Sequence, residues 1–407
     1  MKKTTLLFAI ASLAFSACKK SSTPDEQVVD PFKLEYSNLD TTAQKQNLEK
    51  AGVDFVKKIE SLSDEKFIDV LDYLATFPSV NGGSIFTSVS KISSASKNKD
   101  LKAIFSTVSA VDSVSKLSEH YGIYIYNRAS DTWVKTASTT KLEFRFPATE
   151  NSTTNNAILT CSYVASSVKV DVEGERAELP ASITAALIVD NKEELKLTSN
   201  YQYKSDGTPT KTETTLVLGA FTLKTSSSNN SSDFGSSLSI SKGSETLLSF
   251  SAGASGTLSV DGATNMDDPN EIVKNANASF EIMNIKLAGQ VDFKGLNTAN
   301  KLIDYNQEDS ITVKKEVENL NKFSKVVAIN KDNNTVIAKL VFKPVTESST
   351  WCYYDYGTQQ NICDTYTNSY AEPRLVFKDG TPLAFDTFFD NGFGKLIDEL
   401  EDLNEKL

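Results

Sequence analysis

The sequence predicts an α+β protein in which N-terminal amphipathic helices pack on a large antiparallel β-meander, with a C-terminal α/β portion after it. Three observations carry that prediction. Apolar residues recur every three or four positions between Leu48 and Leu117. They alternate in twos from Tyr121 to Phe293. A helical period then returns between Val313 and Phe323, ahead of a hairpin. With 407 residues, 39% hydrophobic and 9% aromatic, the chain is long and apolar enough for one large core or two modest ones.

Along the first helix, Leu48, Gly52, Phe55, Ile59 and Leu62 share one face. Ser63, Asp64 and Glu65 read as the cap of a second helix, with Phe67, Val70, Leu71 and Leu74 as its stripe and Pro78 as its stop. Ser79 to Lys99 is rich in Ser and Gly and gives no clear period. A third stripe, Leu101, Ile104, Phe105, Val108, Val111, Val114 and Leu117, ends near Gly122. Such faces need a partner surface, and the strands that follow supply one.

The period then shortens to two. Tyr121 to Tyr126, Leu142 to Phe146, Ala157 to Val164, Val168 to Val172, Ile183 to Val189, Leu195 to Tyr203, Leu216 to Leu223 and Leu248 with Phe250 read as strands. Pro147, Glu173-Gly174, Asp206-Gly207, Ser226 to Ser232 and Gly253 to Gly256 read as the turns between them. One face is apolar and the other is Ser, Thr and Lys, the pattern of an antiparallel sheet with one solvated side. Phe280 to Phe293 reads as one long strand whose parity slips at Met283-Asn284, where a bulge would restore the facing. Asp268-Pro269-Asn270-Glu271 reads as a helix start. A calcium loop over Asp261 to Glu271 fits poorly, because Met266 occupies the glycine position and Ala263 the third.

In the C-terminal part, Asp309-Ser310 caps a helix with Val313, Val317, Leu320 and Phe323 inward. A hairpin of Val326 to Ile329 and Val336 to Phe342 follows, turning at Lys331 to Asn334. Arg374 to Gly380 is a strand with a turn, and Gly394 to Leu407 an acidic amphipathic helix. The divisions expected are 1–17 as a leader, 18–38 as a polar tether, 39–120 as the helical region, 121–296 as the sheet and 297–407 as the α/β portion. The seams near Tyr121 and Leu296 lack linkers, so 39–407 can be one domain.

The first residues indicate export. Met1-Lys2-Lys3 is basic, Leu6 to Phe15 is apolar but too short to cross a bilayer, and Ser16-Ala17 places small residues before Cys18. This resembles the lipobox of bacterial lipoproteins, although Phe15 stands where the family usually has Leu or another aliphatic residue. The resemblance covers under a twentieth of the chain. It implies cleavage before Cys18, acylation of its sulfur and of the new amino terminus, and membrane attachment through those acyl chains. Lys19, where such proteins carry Asp when kept in the inner membrane, implies the outer membrane, on either face.

The remaining cysteines are Cys161, Cys352 and Cys363. Cys352 and Cys363 enclose ten residues that include Asp355, Tyr356 and Gly357 as turn formers, and are expected to bond across a hairpin. On the chain-entropy model that closure stabilises by about 2 to 3 kcal/mol. Cys161, among Ala157, Leu159 and Tyr163, reads as a buried thiol.

Chemistry leaves fewer marks. The net charge of −11 excludes the basic footprint that nucleic acid requires. His120 is the single histidine, which excludes paired-histidine metal sites and leaves any catalytic triad one candidate base. Gly253-Ala254-Ser255-Gly256 is one residue short of a nucleophile elbow, and no phosphate or dinucleotide loop occurs. No metal or cofactor site is expected.

The unusual patch is Trp351 to Tyr370, where Trp351, Tyr353, Tyr354, Tyr356, Tyr366 and Tyr370 occupy six of twenty positions and Tyr354 and Tyr356 flank Asp355. Rings among Asn, Gln and Asp suit a glycan or protein ligand; the plainer expectation is that they pack a stapled hairpin against the sheet. Three functions remain open: a membrane-anchored, non-catalytic binding or assembly module, a carrier of lipid or another amphiphile, and a hydrolase using two carboxylates. The second rests on a loose resemblance in pattern to the half-barrels of periplasmic lipid carriers.

Overall fold

The computed structural model describes residues 30–78, 80, 83–104, 117–172, 175–230, 232–256, 273–357, 359–389, 393 and 395. Residues 1–29 with Cys18, most of the third apolar stripe, the Asp261 to Glu271 segment and nearly all of Gly394 to Leu407 lie outside them.

The chain is α+β, as its pattern predicts. Helix α1 spans Thr41–Glu60, α2 Lys66–Leu74 and α3 Gly83–Lys97. The strands are β1 (Gly122–Asn127), β2 (Thr132–Thr136), β3 (Leu142–Phe146), β4 (Ala157–Val172), β5 (Glu175–Val189), β6 (Lys192–Tyr203), β7 (Pro209–Leu218), β8 (Phe221–Asn229), β9 (Asp233–Lys242) and β10 (Glu245–Gly256). Next come β11 (Val273–Ile282), β12 (Ile285–Asp292), helices α4 (Phe293–Asn300) and α5 (Asp309–Phe323), β13 (Ser324–Asn330), β14 (Thr335–Asp355), β15 (Gln360–Val376), β16 (Pro382–Ala384) and α6 (Phe385–Phe389). All sixteen described strands join one open sheet in the order β2-β1-β3 and then sequentially to β16. Every neighbouring pair is antiparallel except β1 with β3, which is parallel.

The helices form for local reasons. Asp40 caps α1 by accepting the Ala43 amide at 2.8 Å. Its apolar stripe then buries Ala51, Phe55, Val56 and Ile59. At α2 the cap position is Glu65, without a side-chain cap bond, and Ser63 instead donates back to the Glu60 carbonyl. The expected Ser63 cap is therefore displaced by a 3₁₀ turn over Ser61–Asp64 that closes α1. At α5 the cap is Glu308 rather than Asp309.

The main core lies between these helices and one end of the strands. Phe67, Phe144, Phe146 and Phe221 are wholly buried there, with Leu62, Leu71, Leu187 and Leu218 around them. A second cluster, Ala51, Ile285, Ile337, Phe377 and Phe388, continues under α1. Ile282 and Met283 touch both, so the apolar layer runs from the meander into the C-terminal strands without a break. On the opposite face, Phe32, Leu34 and Tyr36 cover Ala288, Val327, Ile329 and Val336.

Several sequence expectations are corrected. Leu216 to Leu223 is a hairpin: Leu218 pairs with Phe221 around Gly219-Ala220, and Gly219 takes φ +57°. Phe280 to Phe293 is likewise no bulged strand, because Ile282 pairs with Ile285 around Met283-Asn284 and helix α4 begins at Phe293. A two-residue turn and a bulge leave the same parity slip, and Met283 at φ +52° lacks the glycine that would have marked a turn. Ser226 to Asn229 and Gly253 to Gly256 belong to β8 and β10. Ala157 to Val172 is one strand with register shifts near Ala165. Ser79 to Lys99 contains α3.

Deleting the Phe67 ring, which leaves a void that the helix and sheet cannot both close, is expected to cost about 3 to 5 kcal/mol in chemical denaturation; Val164→Ala, at an exposed position midway along β4, is expected to stay within about 0.5 kcal/mol. A second expectation concerns acid. Glu281 receives Lys286 at 2.8 Å and Lys331 at 2.7 Å. Burial alone would raise its pKa, but the two lysines outweigh it and hold the carboxyl below its ordinary value of 4.5. Its contribution to stability is thus present above about pH 4.5 and lost as pH falls through the lower folded value. Melting temperatures followed from pH 6 to 3 should drop below that point, and less steeply in Glu281→Gln.

Candidate functional site

Strands β14 and β15 are the longest neighbouring pair in the sheet, and they outrun it. β13 pairs with β14 only from Thr335 to Leu340, and β16 pairs with β15 only from Arg374 to Val376. Beyond those points the two strands continue paired to each other, from Val341 opposite Arg374 to Asp355 opposite Gln360. The result is a two-stranded arm extending from the sheet.

The base of the arm is fastened. The Asn321 side chain at the end of α5 donates to the Phe342 carbonyl and accepts the Phe342 amide, both at 2.8 Å. It thereby occupies the place of a next strand. Higher up, a two-stranded ribbon has little burial to hold it and needs a staple. Cys352 and Cys363 stand directly opposite each other with sulfurs 2.07 Å apart, as the sequence predicts. Hydroxyl pairs Thr346–Ser369 and Thr350–Thr365, each at 2.9 Å, add cross-strand bonds.

Alternation along the ladder sorts the aromatic residues. Trp351 and Tyr353 lie on one face, opposite Asp364 and Ile362, and Tyr366 and Tyr370 share that face from β15. The Trp351 and Tyr353 rings stack with centroids 5.0 Å apart and planes 28° from parallel. Tyr354 and Tyr356 meet edge to face at 5.1 Å near the tip. The rings do not pack against the sheet: Trp351 is 60% exposed, Tyr366 59% and Tyr356 86%. Tyr370, nearer the base, donates to Glu347 at 2.8 Å, and that bond holds its phenol above the usual pKa. Asp355 accepts the Gly357 amide at 2.8 Å and shapes the turn.

From Pro344 to Ala371 the arm carries Glu347, Asp355 and Asp364 and no Lys or Arg. Its surface is therefore rings and hydroxyls with acidic charge. The sequence located these residues by composition. It could not show their exposure, which depends on where neighbouring strands stop.

Elsewhere the described residues offer little chemistry. His120 closes a 3₁₀ turn over Leu117–His120, and its carbonyl accepts the Tyr124 hydroxyl. Cys161 is half-buried beside the main core, and burial pushes its thiol up to about 11, too high for a thiolate nucleophile at neutral pH. Glu143 is buried between Lys141 and Arg145; burial would raise its pKa, but the hydrogen bonds from those two bases win and lower it. That is the opposite of what a general acid needs. No group of three or more His, Cys, Asp or Glu among the described residues could hold a metal ion. No described helix is long and apolar enough to cross a membrane. Buried side chains of α1, α2 and the strands beneath them form one cluster. No family model matches the chain, and no curated protein or solved structure matches it.

The disulfide should govern the arm and not the core. Cys352→Ser with Cys363→Ser is expected to leave the main denaturation transition in place while making residues 344–371 the first site of limited proteolysis, read by mass spectrometry of the fragments.

Proposed function

We propose that the protein is a membrane-anchored, non-catalytic binding or assembly module of the bacterial cell envelope, held by acyl chains on Cys18 and presenting the β14–β15 arm as its contact element. The observation that carries this reading is the exposure of five large rings on a disulfide-bridged ribbon that no other described strand covers. Rigid rings with hydroxyl edges give large contact area at little cost in side-chain order, which suits a glycan or a protein ligand. The leader and cysteine supply the anchor, and the acidic charge of the chain argues against nucleic acid as the partner.

The test compares the chain with Tyr353→Ala combined with Tyr356→Ala on an array of cell-envelope glycans and by photo-crosslinking to envelope proteins. Loss of two exposed contact rings is expected to weaken binding tenfold or more at an unchanged melting temperature. Binding that survives at full strength in the double variant would remove the arm from the reading.

A further inference from the structure

The polar stretch expected as a tether over 18–38 is packed on the sheet from Asp30 onward, and the described chain begins near the strand end from which the arm leaves. The described chain begins at Asp30, which lies near enough to Lys325 to feel its charge, and the 3₁₀ turn Pro31–Lys33 sits on β13. Phe32, Leu34 and Tyr36 pack on Val327, Ile329 and Val336, and Tyr36 bridges Val336 with its backbone parallel to β14. Val326 pairs with Leu340, so Lys325 is level with Val341, where the arm starts. Asp30 therefore lies toward the end of β13 from which the arm leaves.

Two lengths can then be compared. Cys18 to Val29 is twelve residues and reaches at most about 40 Å. From Val341, at about 3.3 Å per residue, Trp351 lies about 33 Å out along β14 and Asp355 about 46 Å. The ring-bearing stretch thus sits at the distance to which the tether can carry a lipid anchor. Trp and Tyr are the residues that settle at a membrane–water boundary, apolar body inward and polar edge outward. Glu347, Asp355 and Asp364, with no base between Pro344 and Ala371, disfavour anionic lipid. The free backbone edges of a two-stranded ribbon bar it from the hydrocarbon core and confine it to the headgroup layer.

We infer that the ligand of the arm is the membrane itself: Trp351, Tyr353, Tyr354 and Tyr356 seat in the headgroup region of a neutral or zwitterionic bilayer as a second contact beside the acylated Cys18. This deepens the proposed function and rests on it for the anchor. The arm then fixes the height and orientation of the sheet above the lipid surface, which a tether alone does not.

The experiment uses the chain from residue 18 with Cys18→Ser, so that binding owes nothing to acylation, and vesicles of phosphatidylcholine. Co-sedimentation is expected at millimolar lipid. Trp emission should shift to shorter wavelength, and Trp351→Phe should abolish the shift while Trp133 stays silent. The triple variant Trp351→Ala, Tyr353→Ala, Tyr356→Ala should partition at least tenfold less with an unchanged melting temperature. Replacing a third of the lipid by phosphatidylglycerol should weaken binding. Absence of partition by the folded protein would overturn the inference, as would partition that the triple variant retains or that anionic lipid strengthens. Arm-dependent binding of a glycan or protein without vesicle partition would also overturn it, yet would leave the proposed function standing.

Discussion

The seating of α1 and α2 on one end of the strands is the constraint from which the rest of the molecule follows. A sheet of this width has two faces to satisfy, and its own residues can satisfy only part of them. Phe67 and Leu71 from α2 and Phe55 and Ile59 from α1 close over Phe144, Leu187, Leu218 and Phe221. Because these contacts gather at one end of each strand, the other ends must hold by different means. Along β7, β8, β9, β10 and β11 they do so with paired hydroxyls, Thr212–Ser227, Ser226–Ser237 and Ser251–Ser279, each at 2.8 Å. The serine-rich composition of the middle of the chain thus belongs to its fold.

What was legible in the sequence follows the same division. The stripes of α1 and α2 and the alternation of β1, β3, β4 and β6 could be read because one side of each is buried in hydrocarbon. Where hydroxyl pairs replace apolar ones, as from Ser226 to Asn229, the alternation fades and the segment looks like a loop. Tight turns without a glycine signal, such as Met283-Asn284, hide inside what reads as a single strand. Helix α3 was hidden by serine, which neither breaks a helix nor marks its face.

The candidate site was legible in composition and in covalent chemistry, not in geometry. Six rings in twenty residues and two cysteines at hairpin spacing identified the segment and its bridge. Whether those rings face a core or the outside depends on β13 and β16 ending short of β14 and β15, and strand length relative to a neighbour is a tertiary property. Asn321, which terminates the pairing edge at Phe342, lies on a helix far from the aromatic segment in sequence and gave no local signal.

β14 is one uninterrupted strand that begins in the second core cluster at Ile337 and Ala338 and ends at the tip of the arm. A force applied at the tip therefore runs lengthwise along a strand held on both sides. Its bonds to β13, and those of β15 to β16, are loaded in shear, so several must yield together instead of opening one after another. The arm is mechanically a shaft set into the sheet, and a tug on it is resisted by the core and not merely by the ribbon.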